Sequence, residues 1–131
     1  MKRTQARENI FMLLFEASFY ENPDKDEILQ LAYECRELEI DDYVKRVFTG
    51  ISDDVIVIDG ILEKYYKKWT KSRISRVALS VMRLAVYEII NIEDVAPAVA
   101  INEAVNLMKK YDTKDSAVFV NGVLGAYVRD I

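Results

Sequence analysis

The stretch from Lys64 to Arg76, "KYYKKWTKSRISR", sets six cations around Tyr65, Tyr66 and Trp69. Flat side chains stack on unpaired bases at about 1–3 kcal/mol each while lysine and arginine neutralise phosphates, so the combination suits single-stranded nucleic acid. A plainer reading stands beside it. Tyr65 and Trp69 also continue the apolar stripe of the preceding segment, and the lysines then solvate its outer face. The distribution of charge sharpens the question. Residues 1–15 carry +2, 16–63 carry −10, 64–87 carry +7 without a single acid, and 88–131 carry −3, inside a chain of net charge −4. Local field rather than net charge attracts phosphate, so the block from 64 to 87 is the main compositional pointer to an anionic partner.

Catalytic chemistry finds less support. The chain has no histidine and a single cysteine, Cys35, so the commonest metal ligand and acid-base group is missing and no internal disulfide can form. Carboxylate pairs are abundant in the acidic half, but they fall on helix faces and caps, where a solvated surface is the ordinary role. No spacing singles out a serine–lysine nucleophile pair, and no glycine-rich phosphate loop is present. Neither an enzyme, a cofactor nor a metal is expected.

The 131 residues fit one domain, 1–131, and 51% are hydrophobic, with only four glycines and two prolines. That composition suits a compact helical fold. No apolar run reaches the roughly 18 residues that span a bilayer, and polar residues interrupt the amino-terminal segment too early for a signal peptide, so a cytoplasmic protein is expected.

Positioning elements follow from periodicity. Ala6, Ile10, Leu13, Leu14 and Ala17 recur at helical spacing from Thr4 to Tyr20, with Lys2, Arg3 and Arg7 at the start. Cations at the positive end of a helix dipole are unfavourable, which hints at an anionic partner. Asp24 with Glu27 opens an acidic second helix in a variant capping box. From Asp41 one apolar face runs through Val44, Val47, Phe48, Ile51, Val55, Ile58, Leu62 and Tyr65, a long helix with a bend or break expected near Gly50 to Ser52. "SRVALSVMRLAVYEIINI" is apolar nearly all round and predicts a central helix whose Arg83 and Glu88 must find partners or reach the surface. Pro97 suits the first turn of a helix reaching about Lys110, and Asp112, Thr113 or Asp115 can cap a last one from about Ser116 to Val128. No segment alternates as a strand does. The expected class is all-α, with six or seven helices.

The stretch Ala100 to Leu124, "AINEAVNLMKKYDTKDSAVFVNGVL", places Asn102, Glu103, Asn121 and Gly122 in a helical pattern. The two asparagines are read as buried amides tying helix ends and loops together, and Gly122 as allowing a neighbouring helix to approach closely. "INEAVNLMKKY" and "DSAVFVNGVL", with "LSVMRLAVYEI" upstream and "AREN" near the start, resemble the transcription antitermination factor NusB family over essentially the whole chain. The resemblance implies two three-helix bundles and a non-catalytic role: pairing with the ribosomal protein NusE, binding the boxA element of nascent ribosomal RNA transcripts, and helping RNA polymerase read through terminators.

Carried onto this sequence, the family's arginine-rich amino terminus falls on Lys2, Arg3 and Arg7 as phosphate ligands. The cluster is sparser than in many relatives, and Met12 and Phe15 stand where those carry glutamine and tyrosine. RNA binding is therefore expected to lean on Lys68, Trp69 and Lys71, with Tyr66, Tyr111 and Phe119 as base-contacting aromatics and Lys109 and Lys110 beside them. Asp115 and Phe15 fall on the NusE-docking surface. The family includes monomers and homodimers, and both remain open. Two other roles stay in view: an RNA-binding appendage like that fused to ribosomal RNA methyltransferases, with no cofactor-binding segment in this chain, and a protein-interaction module without boxA specificity.

Overall fold

Four helices begin on a side chain that accepts from otherwise unpaired backbone N–H groups, and these caps fix where the chain turns. In the computed structural model, which describes residues 1–35, 38–66 and 74–131, the described residues form six helices: α1 (Arg3–Ala17), α2 (Lys25–Cys35), α3 (Asp42–Glu63), α4 (Arg76–Asn91), α5 (Pro97–Tyr111) and α6 (Lys114–Asp130). Asp24 Oδ1 accepts from the amides of Asp26 and Glu27 at 3.0 and 3.2 Å. Asp41 caps α3 through the Val44 amide at 2.9 Å, Ser75 caps α4 through Ala78 at 2.9 Å, and Thr113 caps α6 through Ser116 at 3.1 Å. Of the three residues expected to compete for the last cap, Thr113 takes it, and the helix starts at Lys114. Such caps contribute about 1 kcal/mol each.

The helices form two groups of three, α1–α3 and α4–α6, with α4 packed against α1, α3, α5 and α6. Its near-continuous apolar sequence is explained by that position: Ala78, Val81, Met82, Leu84, Ala85 and Val86 are all buried. Phe11, Ile10 and Leu13 of α1 and Phe48, Ile51 and Leu62 of α3 meet the same core, each buried large side chain contributing about 1.5–3 kcal/mol.

Of the bend or break expected near Gly50, a break does not occur. The helix runs continuously through Gly50, and glycine there serves packing: a Cβ at Gly50 would lie 2.0 Å from the hydroxyl oxygen of Tyr87 on α4. Gly60, in the same helix, faces open space. The polar residues of α4 find the partners they require. Arg83 donates two hydrogen bonds to Asp59, at 2.8 and 2.7 Å, and Glu88 is enclosed by Arg7 and Tyr43.

Candidate nucleic-acid interface

The amino end of α1 lacks what four other helices have. Its N-cap residue, Lys2, makes no side-chain capping bond, and no acid lies in its first turn. Lys2 and Arg3 are exposed there, so free N–H groups, the positive end of the helix dipole and two cations coincide. The Arg3 guanidinium lies 3.7 Å from the centroid of the Tyr43 ring, and its Asp94 neighbour stands off at 3.9 Å. The start of α5 is also uncapped and free of acids, with Ala96 before Pro97. Thr4 donates to Glu103 at 2.9 Å and Lys110 to Glu8 at 2.6 and 2.8 Å, so α1 and α5 run in the same direction with their bare amino ends on one side.

Arg7 does not join this surface, and the expectation that it holds phosphate is corrected. It is only 4% exposed. Its Nε donates to both oxygens of Glu88 at 2.9 and 3.0 Å, and its guanidinium lies 3.3 Å from Glu103. Tyr43 donates its hydroxyl to the same Glu88 carboxylate. Burial first, then the hydrogen bond and charge of Glu88, raises the Tyr43 hydroxyl well above its ordinary value. Asn9, also buried, donates to the Glu39 carbonyl at 2.8 Å. Two residues of the "AREN" motif thus hold α1 to α4 and to the segment before α3.

Further along α1 the contacts return to the surface. Lys110 is exposed beside Glu8, whose carboxyl is held below its ordinary value chiefly by the Lys110 hydrogen bond, against the opposing effect of burial. Tyr111 donates to Glu8 at 2.9 Å and its ring lies 5.0 Å from Phe11. Burial and then Glu8 raise its hydroxyl. Phe11, Phe15 and Phe19 continue the row at successive turns, with centroids 6.0 and 5.0 Å apart. Arg76 closes it, donating to the Ser18 carbonyl at 2.7 Å with its guanidinium 4.6 Å from the Phe19 ring. Phe15, Tyr111 and Lys110 are candidates from the sequence, and Phe19 and Glu8 join them in this row only through the fold. The four-residue spacing of Phe11, Phe15 and Phe19 was a readable signal; nothing local pairs Glu8 with a lysine 102 positions away.

Tyr66 requires a second correction. It is 5% exposed, packs with its ring 6.2 Å from that of Phe119, and has its hydroxyl pushed up to about 12 by burial. A ring enclosed in this way offers no face to a base. Phe119 is half-buried over it. Lys68, Trp69 and Lys71 lie outside the described residues. Lys109 is exposed on the side of α5 that meets α6, and Asp115 is exposed in the first turn of α6, where the helix dipole favours a carboxylate.

Asn102 and Asn121 are not buried amides, for both side chains are exposed and line a groove between α5 and α6. Gly122 is exposed as well, with nothing within 4 Å of where a Cβ would sit, so it permits no close helix approach. Among the described residues no group of three or more acidic or cysteine side chains is placed to hold a metal ion, and no helix is long and apolar enough to cross a membrane.

The NusB family model matches residues 4–129. The chain is similar to the transcription antitermination protein NusB of Ruminiclostridium cellulolyticum, with 38% identity over 126 residues that cover 95% of this chain and 86% of the relative. Among solved structures it superposes on T. maritima NusB with a TM-score of 0.86 and 32% identity, covering 99% of this chain and 92% of that one. It also superposes on a chain from a complex of the antitermination factors NusB and NusE with double-stranded RNA, with a TM-score of 0.84 and 26% identity, covering 98% of this chain and 97% of the other. Matched over nearly its full length in both sequence and fold, the chain belongs to the NusB family.

Proposed function

We propose that this chain is a non-enzymatic transcription antitermination factor of the cytoplasm. It binds boxA-type single-stranded RNA of nascent ribosomal RNA transcripts together with ribosomal protein NusE, and so helps RNA polymerase read through terminators. The observation that carries the RNA half is the bare amino end of α1, where Lys2, Arg3 and unpaired backbone N–H groups offer a phosphate the three things it binds best. Lys110 and Tyr111, held against α1 by Glu8, extend that surface along the helix, and Phe119 is a further aromatic on α6. The relatives' name and the NusB–NusE–RNA complex among the similar structures support the reading. For NusE the candidates are Phe15, in the aromatic row of α1, and the exposed Asp115.

Burial of Arg7 leaves Lys2 and Arg3 as the exposed cations of the first two turns of α1. This favours a division of labour in which NusE supplies a large share of the RNA contacts. Fluorescence-anisotropy titration of boxA RNA with and without NusE tests it. Cooperative partners are expected to show a coupling of about 1–3 kcal/mol, or 5–150-fold in affinity. Equal affinity in the two titrations rejects the joint mechanism, and no RNA binding in either leaves only a protein-interaction module.

A further inference from the structure

We propose that the groove between α5 and α6 binds an extended segment of a partner protein that carries an acidic side chain at one end. The groove holds about 780 Å³. Its floor is aliphatic, built from Ala98, Ile101 and Val105 of α5 and Ala117 and Val118 of α6, and Val118 is 72% exposed. Its polar groups sit at two levels. Lys109 and Lys114 flank the end where the helices connect, and Asn102 and Asn121 face each other seven residues away on each helix, about 10 Å along the axis.

Chemistry selects the occupant. The lining contains two lysines and no carboxylate, and among the described residues neither lysine has an ion-pair partner, whereas the adjacent Lys110 is satisfied by Glu8. Lys114 also stands in the first turn of α6, where a second positive field, that of the helix dipole, adds to its own. Asp115 shares that turn but does not line the groove. An anion is therefore favoured at this end. At the other, each asparagine offers two donors and an acceptor that no described residue uses. A docked helix has already satisfied its own backbone and would cover those amides without pairing them. An extended chain presents one N–H and one C=O per residue, which two facing carboxamides can engage, while alternate side chains enter the aliphatic floor. A nucleic acid is disfavoured because no lining residue is aromatic, so no base has a stacking platform. At about 3.3 Å per residue, the acidic side chain lies roughly three residues from the peptide groups held by the asparagines.

Of the groove residues only Lys109 is also among those expected to meet RNA, so Val118, which is not, separates the failure of this proposal from that of the RNA reading. Selection of a random peptide library displayed on phage against the full-length protein is the test. Selected peptides are expected to combine alternating aliphatic residues with Asp or Glu about three positions away. Representative peptides should lose about tenfold in affinity, or about 1.4 kcal/mol, with Asn102→Ala plus Asn121→Ala. They should weaken and lose salt dependence with Lys109→Gln plus Lys114→Gln, and fail to bind Val118→Glu. All these side chains are exposed, so the variants should melt as the parent does, and Val118→Glu should leave boxA RNA affinity unchanged. Three results overturn the proposal: selected peptides without acidic enrichment or insensitive to Val118→Glu; single-stranded RNA binding abolished by Val118→Glu; or a homodimer in sedimentation velocity that Val118→Glu converts to monomer, which would mean that a second copy covers the groove.

Discussion

One turn separates Arg3 from Arg7 on α1, yet Arg3 keeps 40% of its side chain in solvent while Arg7 keeps 5% and is enclosed by Glu88 and Glu103. Arg3 lies over the ring of Tyr43 with much of its side chain in water. Arg7 lies where α1 crosses α4, and its charge is consumed there. Residue type and spacing make the two equivalent, and only the position of a helix 81 residues later distinguishes them. The same lesson holds for Gly50 and Gly60 of α3, of which one admits the Tyr87 ring and the other faces solvent.

The largest effect is expected from breaking the inner site. Arg7→Met leaves the buried Glu88 carboxylate without its cation and should cost about 3–5 kcal/mol in urea denaturation, with Arg7→Met plus Glu88→Met recovering part of the loss. A loss under about 0.5 kcal/mol, the range of ordinary surface substitutions, would place Arg7 with Arg3. Next, Gly50→Ala should destabilise by about 1–3 kcal/mol, since the Tyr87 ring must leave its buried site. Gly60→Ala should instead stabilise by up to about 1 kcal/mol through helix propensity alone. Equal melting shifts for the two would refute the packing role of Gly50.

At the outer site, Lys2→Gln with Arg3→Gln should stay within about 0.5 kcal/mol of the parent in stability. Smallest is the Glu8 contribution. Its carboxyl is lowered by the Lys110 hydrogen bond, so its stabilisation is present above the unfolded value near 4.5 and is lost as pH falls through the lower folded value. The pair is exposed enough for solvent to screen most of it. Thermal melts of the parent and Glu8→Gln should therefore differ slightly at neutral pH and converge under acid; a difference that grows in acid would reverse the sign.

The helical class, the central place of α4 and a cap at 112, 113 or 115 were legible because apolar periodicity and capping residues act locally, but the choice of Thr113 among the three was not. Arg83 and Glu88 were legible as residues in need of partners, but not whose. Arg7, Tyr66, Asn102 and Asn121 were misassigned for one shared reason. Each is amphipathic or polar on a helix, and whether it is enclosed depends on the neighbour across the interface, which periodicity within its own segment does not encode. Tyr66, just past the end of α3, is enclosed in contact with Phe119 of the last helix, whereas the two asparagines line an open groove.

In the proposed mode the bare end of α1, and not Arg7, meets RNA phosphate. Anisotropy titrations of single-stranded boxA RNA across a range of salt concentrations, comparing the parent with Lys2→Gln plus Arg3→Gln, test it most directly. Each phosphate contact on a single strand contributes about 0.7 to the slope of log affinity against log salt. Loss of both cations should lower the magnitude of that slope by about 1.4 and weaken binding at low salt, with the melting temperature unchanged. An unchanged slope with unchanged affinity would contradict it.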